Sequence, residues 1–105
     1  MIPDDLNAVL FSCRSRRNRA ARIYTPAWCL RRRKPSLGLQ LARERAELRL
    51  TMPEVSRILG IEYWRCTMAE RDTSPKCDDT PAHLLAFYAL LRAELAKDNP
   101  PAVGI

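Results

Sequence analysis

Thr51-Met52-Pro53-Glu54-Val55-Ser56-Arg57-Ile58-Leu59-Gly60-Ile61 is the stretch on which the reading of this fold turns. Thr51 and Glu54 have the spacing of a capping box, in which each side chain satisfies an orphaned backbone amide at a helix start. Pro53 falls in the first turn, where its missing N–H costs nothing. Val55, Ile58 and Leu59 supply an apolar stripe, and Gly60 follows at once. Glycine enters the left-handed region without strain and so ends a helix sharply. Beyond it, apolar Ile61 leads into a helix predicted at 62–71, with Cys66 and Ala69 at its inward spacing.

Working outward, Ser36 caps a helix predicted at 37–49. Leu41 and Leu48 share its inner face with Leu37 and Ala42, while Arg43, Glu44, Glu47 and Arg49 are left to water. Two short helices, a tight glycine turn and a longer preceding helix compose a helix-turn-helix unit. On the other side, 72–79 reads as a loop, Thr80 as a cap and Pro81 as a first-turn residue. Leu84, Phe87, Tyr88, Leu91 and Leu95 then recur at three- and four-residue steps, and Asn99-Pro100-Pro101 stops the helix. With only three glycines and apolar residues at helical spacing, the expected fold is all-α: a compact four- to five-helix domain at 37–99 and a tail at 100–105.

Residues 1–36 read as a basic arm. They hold nine Lys/Arg and two Asp/Glu, a balance of +7, against nine and ten, a balance of −1, in 37–105. Arg14-Ser15-Arg16-Arg17-Asn18-Arg19 and Arg31-Arg32-Arg33-Lys34-Pro35 are its basic runs. Like charges at this density resist packing. Ile23-Tyr24-Thr25-Pro26-Ala27-Trp28 between them could be extended, as an edge strand only, because Pro26 has no N–H to donate. The arm reads as a DNA-gripping extension, as a disordered tail, or as sequence upstream of a later start; the residues do not choose among these. An arginine-rich arm also suits RNA, but no RNA-binding module is recognisable in it.

Other classes find little to build on. No apolar run reaches the ~18 residues that cross a bilayer. The start Met1-Ile2-Pro3-Asp4-Asp5 is acidic where a secretory leader is basic, so a cytoplasmic protein is expected. Cys13, Cys29, Cys66 and Cys77 form no close pair, and one histidine, His83, adds no metal-site spacing; free thiols, no metal and no cofactor are expected. No nucleophile elbow or phosphate-cradling loop is present, so no enzyme is expected.

The stretch 50–61 resembles the L-[ST]-Q-x-E-[LV]-A-x-x-L-G-[IV] core of the lambda-repressor-like, XRE-type helix-turn-helix family, and Glu70-Arg71-Asp72 is similar to its E-R-G ending. The likeness covers about 60 residues. Met52 departs from a glutamine that helps grip phosphate, Ser56 from a small alanine and Asp72 from a glycine. The resemblance implies that helix 62–71 lies in the major groove, with Glu62, Tyr63, Trp64, Arg65, Thr67 and Met68 at base edges. Arg65 is the strongest of these, because its planar fork matches the paired acceptors of guanine. Tyr63, or less readily Trp64, instead closes the core on the alternative reading. Thr51 and Arg57, with Arg31, Arg32 and Arg33 of the arm, are the expected phosphate contacts. Cys66 stands where the family has an inward aliphatic residue.

The expected function is sequence-specific recognition of double-stranded DNA by a transcriptional repressor of a phage or other mobile element, similar to anti-CRISPR-associated autoregulators. It is expected to act as a homodimer on inverted repeats. Leu84, Phe87, Tyr88, Leu91 and Leu95 would serve the core first and the dimer surface second. The rival is a protein-binding module, an antitoxin-like subunit or a phage inhibitor with a protein partner, which uses the same fold without DNA.

Overall fold

A computed structural model describes residues 5–31 and 34–98. Among the described residues, six α-helices, α1 (Leu6–Arg16), α2 (Ala27–Leu30), α3 (Leu37–Glu47), α4 (Met52–Leu59), α5 (Tyr63–Glu70) and α6 (Thr80–Asp98), are joined by turns, one of them a 3-10 turn, Ala21–Tyr24. No strand occurs among the described residues. The expected stop at Asn99-Pro100-Pro101 and the tail 100–105 lie outside them.

The local signals around α4 act as their chemistry requires. Thr51 Oγ accepts from the Glu54 N–H, and Glu54 Oε1 accepts from the Thr51 N–H at 3.0 Å, completing the capping box. Gly60 ends α4 at φ 67°, in the left-handed region. The Ser56 hydroxyl donates to the Ile61 carbonyl at 2.5 Å, and the Ile61 N–H returns a bond to Ser56 O at 3.1 Å. Serine at this point therefore fastens the turn, a bond that alanine could not make. Ser36 Oγ accepts from the Leu39 N–H and starts α3. That helix ends at Glu47, short of the predicted 49, because Arg49 turns to φ 58°.

Leu41, Leu50, Val55, Cys66, Leu84, Phe87, Tyr88 and Leu91 belong to one core cluster, to which α3, α4, α5, α6 and the connection between α3 and α4 contribute. Four of the five residues expected at a dimer surface, Leu84, Phe87, Tyr88 and Leu91, are thus buried inside their own chain. Leu95 is partly buried against the same cluster. The stripe is explained by intramolecular packing, and no partner reaches those four side chains without opening the core.

The N-terminal segment also departs from expectation. Val9, Leu10 and Cys13 of α1 belong to that same cluster, with Leu6 packed against it, so the boundary placed at 36/37 does not separate an arm from a core. Repulsion among the arginines is offset by specific acceptors. Arg16 Nη1 donates to Glu54 Oε1 at 2.6 Å and to Arg49 O at 3.1 Å, and Arg49 Nε donates back to Arg19 O at 2.7 Å. The stretch 23–28 is the end of the 3-10 turn and the start of α2, not extended chain, and Tyr24 is buried.

One buried arginine ties these parts together. Arg45 of α3 donates through Nε and Nη2 to the two carboxylate oxygens of Glu70, at 2.7 and 3.1 Å, and through Nη1 to Tyr24 O at 2.8 Å and Leu50 O at 2.9 Å. Burial alone would lower its pKa, but the Glu70 bonds and charge outweigh that and keep it raised. Asp72, at φ 61°, accepts from the Gly38 N–H at 2.7 Å and so holds the end of α5 against the start of α3. The approach is close: a Cβ on Gly38 would lie 2.5 Å from Glu70 O.

Candidate nucleic-acid interface

α5 is split lengthwise by burial. Cys66, Ala69 and Glu70 are buried, whereas Tyr63 is 52% and Trp64 58% exposed. Glu62 is the N-cap residue and is exposed, without a side-chain cap bond. Thr67 and Met68 are half-buried, and the Thr67 hydroxyl donates to Tyr63 O at 3.1 Å. Tyr63 and Trp64 therefore do not close the core. They stand at the end of the helix that directly follows the left-handed turn.

Arg65 is 32% exposed, and its guanidinium is directed to the loop before α6. Nη2 donates to Asp78 Oδ1 at 2.8 Å, with Asp79 Oδ1 further off at 3.8 Å. The same Asp78 oxygen accepts from the Thr80 N–H at 3.0 Å and the Thr80 hydroxyl at 2.7 Å. Bonds from Arg65 and Thr80 hold the Asp78 carboxyl well below the usual carboxylate range. Asp78, rather than Thr80, thus supplies the acceptor at the start of α6. Thr80 is the buried donor that orients it.

Of the predicted phosphate contacts, Thr51, Arg57 and Arg31 lie among the described residues. The Thr51 N–H and hydroxyl both donate to Glu54 Oε1, at 3.0 and 2.9 Å, so neither is left to bind a phosphate. That expectation is corrected by the completeness of the capping box itself. Arg57 is exposed and lines a cleft of about 440 Å³ between α1 and α4, with Asp5, Ala8, Ser12 and Glu54. Arg31 is exposed. Arg32 and Arg33 lie outside the described residues.

Met52, where the resemblance places a phosphate-gripping glutamine, is buried in the core cluster. The 3-10 turn packs against α3. Ile23, Pro26 and Trp28 line a groove of about 290 Å³ with Thr51, Met52 and Tyr63. The Arg71 guanidinium covers the Trp28 ring at 4.2 Å. Sequence reasoning missed this wall, because each of its residues lies in the segment read as an arm.

The remaining chemistry is sparse. Burial pushes the Cys13 and Cys66 thiols up to about 11, which keeps them protonated near neutrality. Among the described residues no group of three His, Cys, Asp or Glu is placed to hold a metal ion, and no helix is long and apolar enough to cross a membrane. Compared with known proteins, the chain matches no family model, no curated protein and no solved structure.

Proposed function

We propose that this chain is a sequence-specific double-stranded DNA-binding regulator of the lambda-repressor-like helix-turn-helix kind, with the start of α5 entering the major groove. The observation that carries this reading is the division of α5. Its inner side is anchored by Cys66, Ala69 and Glu70, and its first turn, just after Gly60, leaves Tyr63 and Trp64 exposed and Arg65 partly exposed. A rigid helix end with outward planar and forked side chains can probe base edges, and one bidentate arginine–guanine pair gives about 1–3 kcal/mol of discrimination. Glu62, Asp78 and Asp79 lie around that end, and their charge lowers sequence-independent attraction to phosphate. Selectivity then rests on Arg65 and the two aromatic rings more than on bulk electrostatics. A repressor of a mobile element, working in the cytoplasm by occupying its site, is the role the sequence resemblance suggests. If two copies pair on an inverted repeat, they meet through surfaces other than the buried stripe of α6.

Selection of bound duplexes from a random pool tests the reading, with Arg65→Ala alongside. The wild-type chain is expected to enrich one motif with a salt-sensitive affinity, and Arg65→Ala to lose guanine preference at one position. Absence of any enriched motif refutes it.

A second reading has its own observation. Ile23, Tyr63 and Trp64 are exposed large apolar side chains, and Ile23 and Tyr63 share one groove. Such a surface suits a protein partner. On that reading no duplex is selected at any salt concentration.

A further inference from the structure

Arg65 does not extend freely from α5. Its Nη2 is bonded to Asp78 Oδ1, and that oxygen is held by the backbone N–H and the hydroxyl of Thr80, at the first residue of the 19-residue α6. The Asp78 side chain is only 9% exposed, and Thr80 is fully buried. The acceptor is therefore fixed to the frame of the fold. Asp79, in contrast, is well exposed and 3.8 Å away.

A guanidinium has five N–H groups in a plane, with two bidentate edges. One edge pairs Nε–H with an Nη2–H, and the other pairs Nη1–H with the second Nη2–H. Asp78 engages a single N–H of Nη2. Whichever hydrogen that is, the other one still lies parallel to a donor on Nε or Nη1. One complete bidentate edge is left for the N7 and O6 acceptors of guanine. A side chain already held in one geometry also has less rotamer entropy to lose when it binds.

We infer that Asp78 is a positioning residue for base reading: it fixes Arg65 with one bidentate edge turned outward and thereby sets a guanine preference at one position of the DNA site. This inference rests on the DNA-binding reading above. The role has an unusual signature. A carboxylate near DNA repels phosphates, so removing it weakens selectivity while sparing or raising affinity for non-specific duplex. Disruption of a merely structural bond lowers binding to every duplex alike.

The test uses the full chain and duplexes carrying each base pair at the position whose preference Arg65→Ala abolishes. Asp78→Ala is expected to reduce the guanine preference roughly three- to tenfold, within the ~5- to 160-fold worth of an arginine–guanine pair, with non-specific affinity unchanged or higher. Asp78→Asn keeps an oxygen for Thr80 and the start of α6 but forms a weaker, uncharged bond, so a smaller loss in the same direction is expected. Asp79→Ala is expected to leave the preference intact. Unchanged guanine preference in both Asp78 variants overturns the positioning role, as does an equal loss on all duplexes. A wild-type chain with no Arg65-dependent position overturns the DNA reading itself, and is recognised by that result before any Asp78 variant is compared.

Discussion

Replacing Arg45 with methionine removes a buried side chain that makes four hydrogen bonds and leaves an apolar stem in its place. Four hydrogen bonds disappear, two to Glu70 and one each to Tyr24 O and Leu50 O. The two carbonyls lose a charged donor, and a fully buried carboxylate loses its facing guanidinium. Removing one member of a buried ion pair costs about 3–5 kcal/mol. Domains of this size are stable by about 5–15 kcal/mol in all. At ~4–8 °C per kcal/mol, the melting temperature is expected to fall by about 12–40 °C. Urea denaturation followed by circular dichroism measures the change directly. Glu70→Gln is expected to cost less, because the amide oxygen still accepts one guanidinium bond. The double variant Arg45→Met with Glu70→Leu is expected to recover part of the loss, since no buried charge is then left. The pair would not be the tie inferred here if Arg45→Met shifted stability by less than about 1 kcal/mol, an ordinary surface effect.

Other outcomes follow from single side chains. Tyr88→Phe is expected to be neutral or slightly stabilising in the same urea assay, because the buried Tyr88 hydroxyl has no hydrogen-bond partner among the described residues and its removal relieves a desolvated group. Gly38→Ala places a Cβ 2.5 Å from a backbone carbonyl that cannot swing away, and is expected to destabilise by about 1–3 kcal/mol or more. Stability is also expected to fall in acid. Burial would raise the Glu54 carboxyl, but bonds from Arg16 and Thr51 outweigh it and lower its pKa, and that of Asp78 is lowered by Arg65 and Thr80. A carboxylate with a depressed folded-state pKa contributes its full stabilisation above the unfolded value of about 4 and loses it as pH drops further. Urea midpoints from pH 7 to pH 3 should therefore hold steady and then decline, and Glu54→Gln should lower the plateau and flatten the decline. With a maleimide at pH 7.5, exposed Cys77 is expected to react first, and Cys13 and Cys66 to react only on unfolding; fast labelling of either would contradict their burial.

Local chemistry was legible, and long-range pairing was not. The capping box at Thr51 and Glu54, the left-handed Gly60 and the stripe of α6 involve residues within a few positions of one another, so the sequence displays them. That stripe carries no mark of whether it faces its own chain or another, which is why Leu84, Phe87, Tyr88 and Leu91 were open to a dimer reading. The capping signature already implied that the Thr51 N–H is engaged; that its hydroxyl also donates to Glu54 only the structure shows. Leu6, Val9, Leu10 and Cys13 recur at helical steps and could have revealed α1, but the arginines after them dominated the reading of 1–36. Arg16 with Glu54, Arg45 with Glu70 and Arg65 with Asp78 are separated by 38, 25 and 13 residues, and no local pattern announces such pairs.

Those pairings change what the positive charge of 1–36 means. A free basic arm acts on nucleic acid through its whole charge, and deleting it would measure that contribution. Here Arg16 is engaged with Glu54 and the Arg49 carbonyl, Arg19 Nη1 donates to the Tyr24 hydroxyl, and the Arg17 and Arg19 carbonyls receive Arg49. The segment also brings Val9, Leu10, Cys13 and Tyr24 into the interior and lines a groove beside Met52. Deletion of 1–36 removes part of the core together with the charge, so a failure of such a truncation to bind DNA reports on folding as much as on electrostatics. Neutralising the exposed Arg22 and Arg31 within the intact chain separates the two. For each phosphate that an arginine no longer neutralises, the slope of log affinity against log salt becomes shallower by about 1, while the urea midpoint stays where it was.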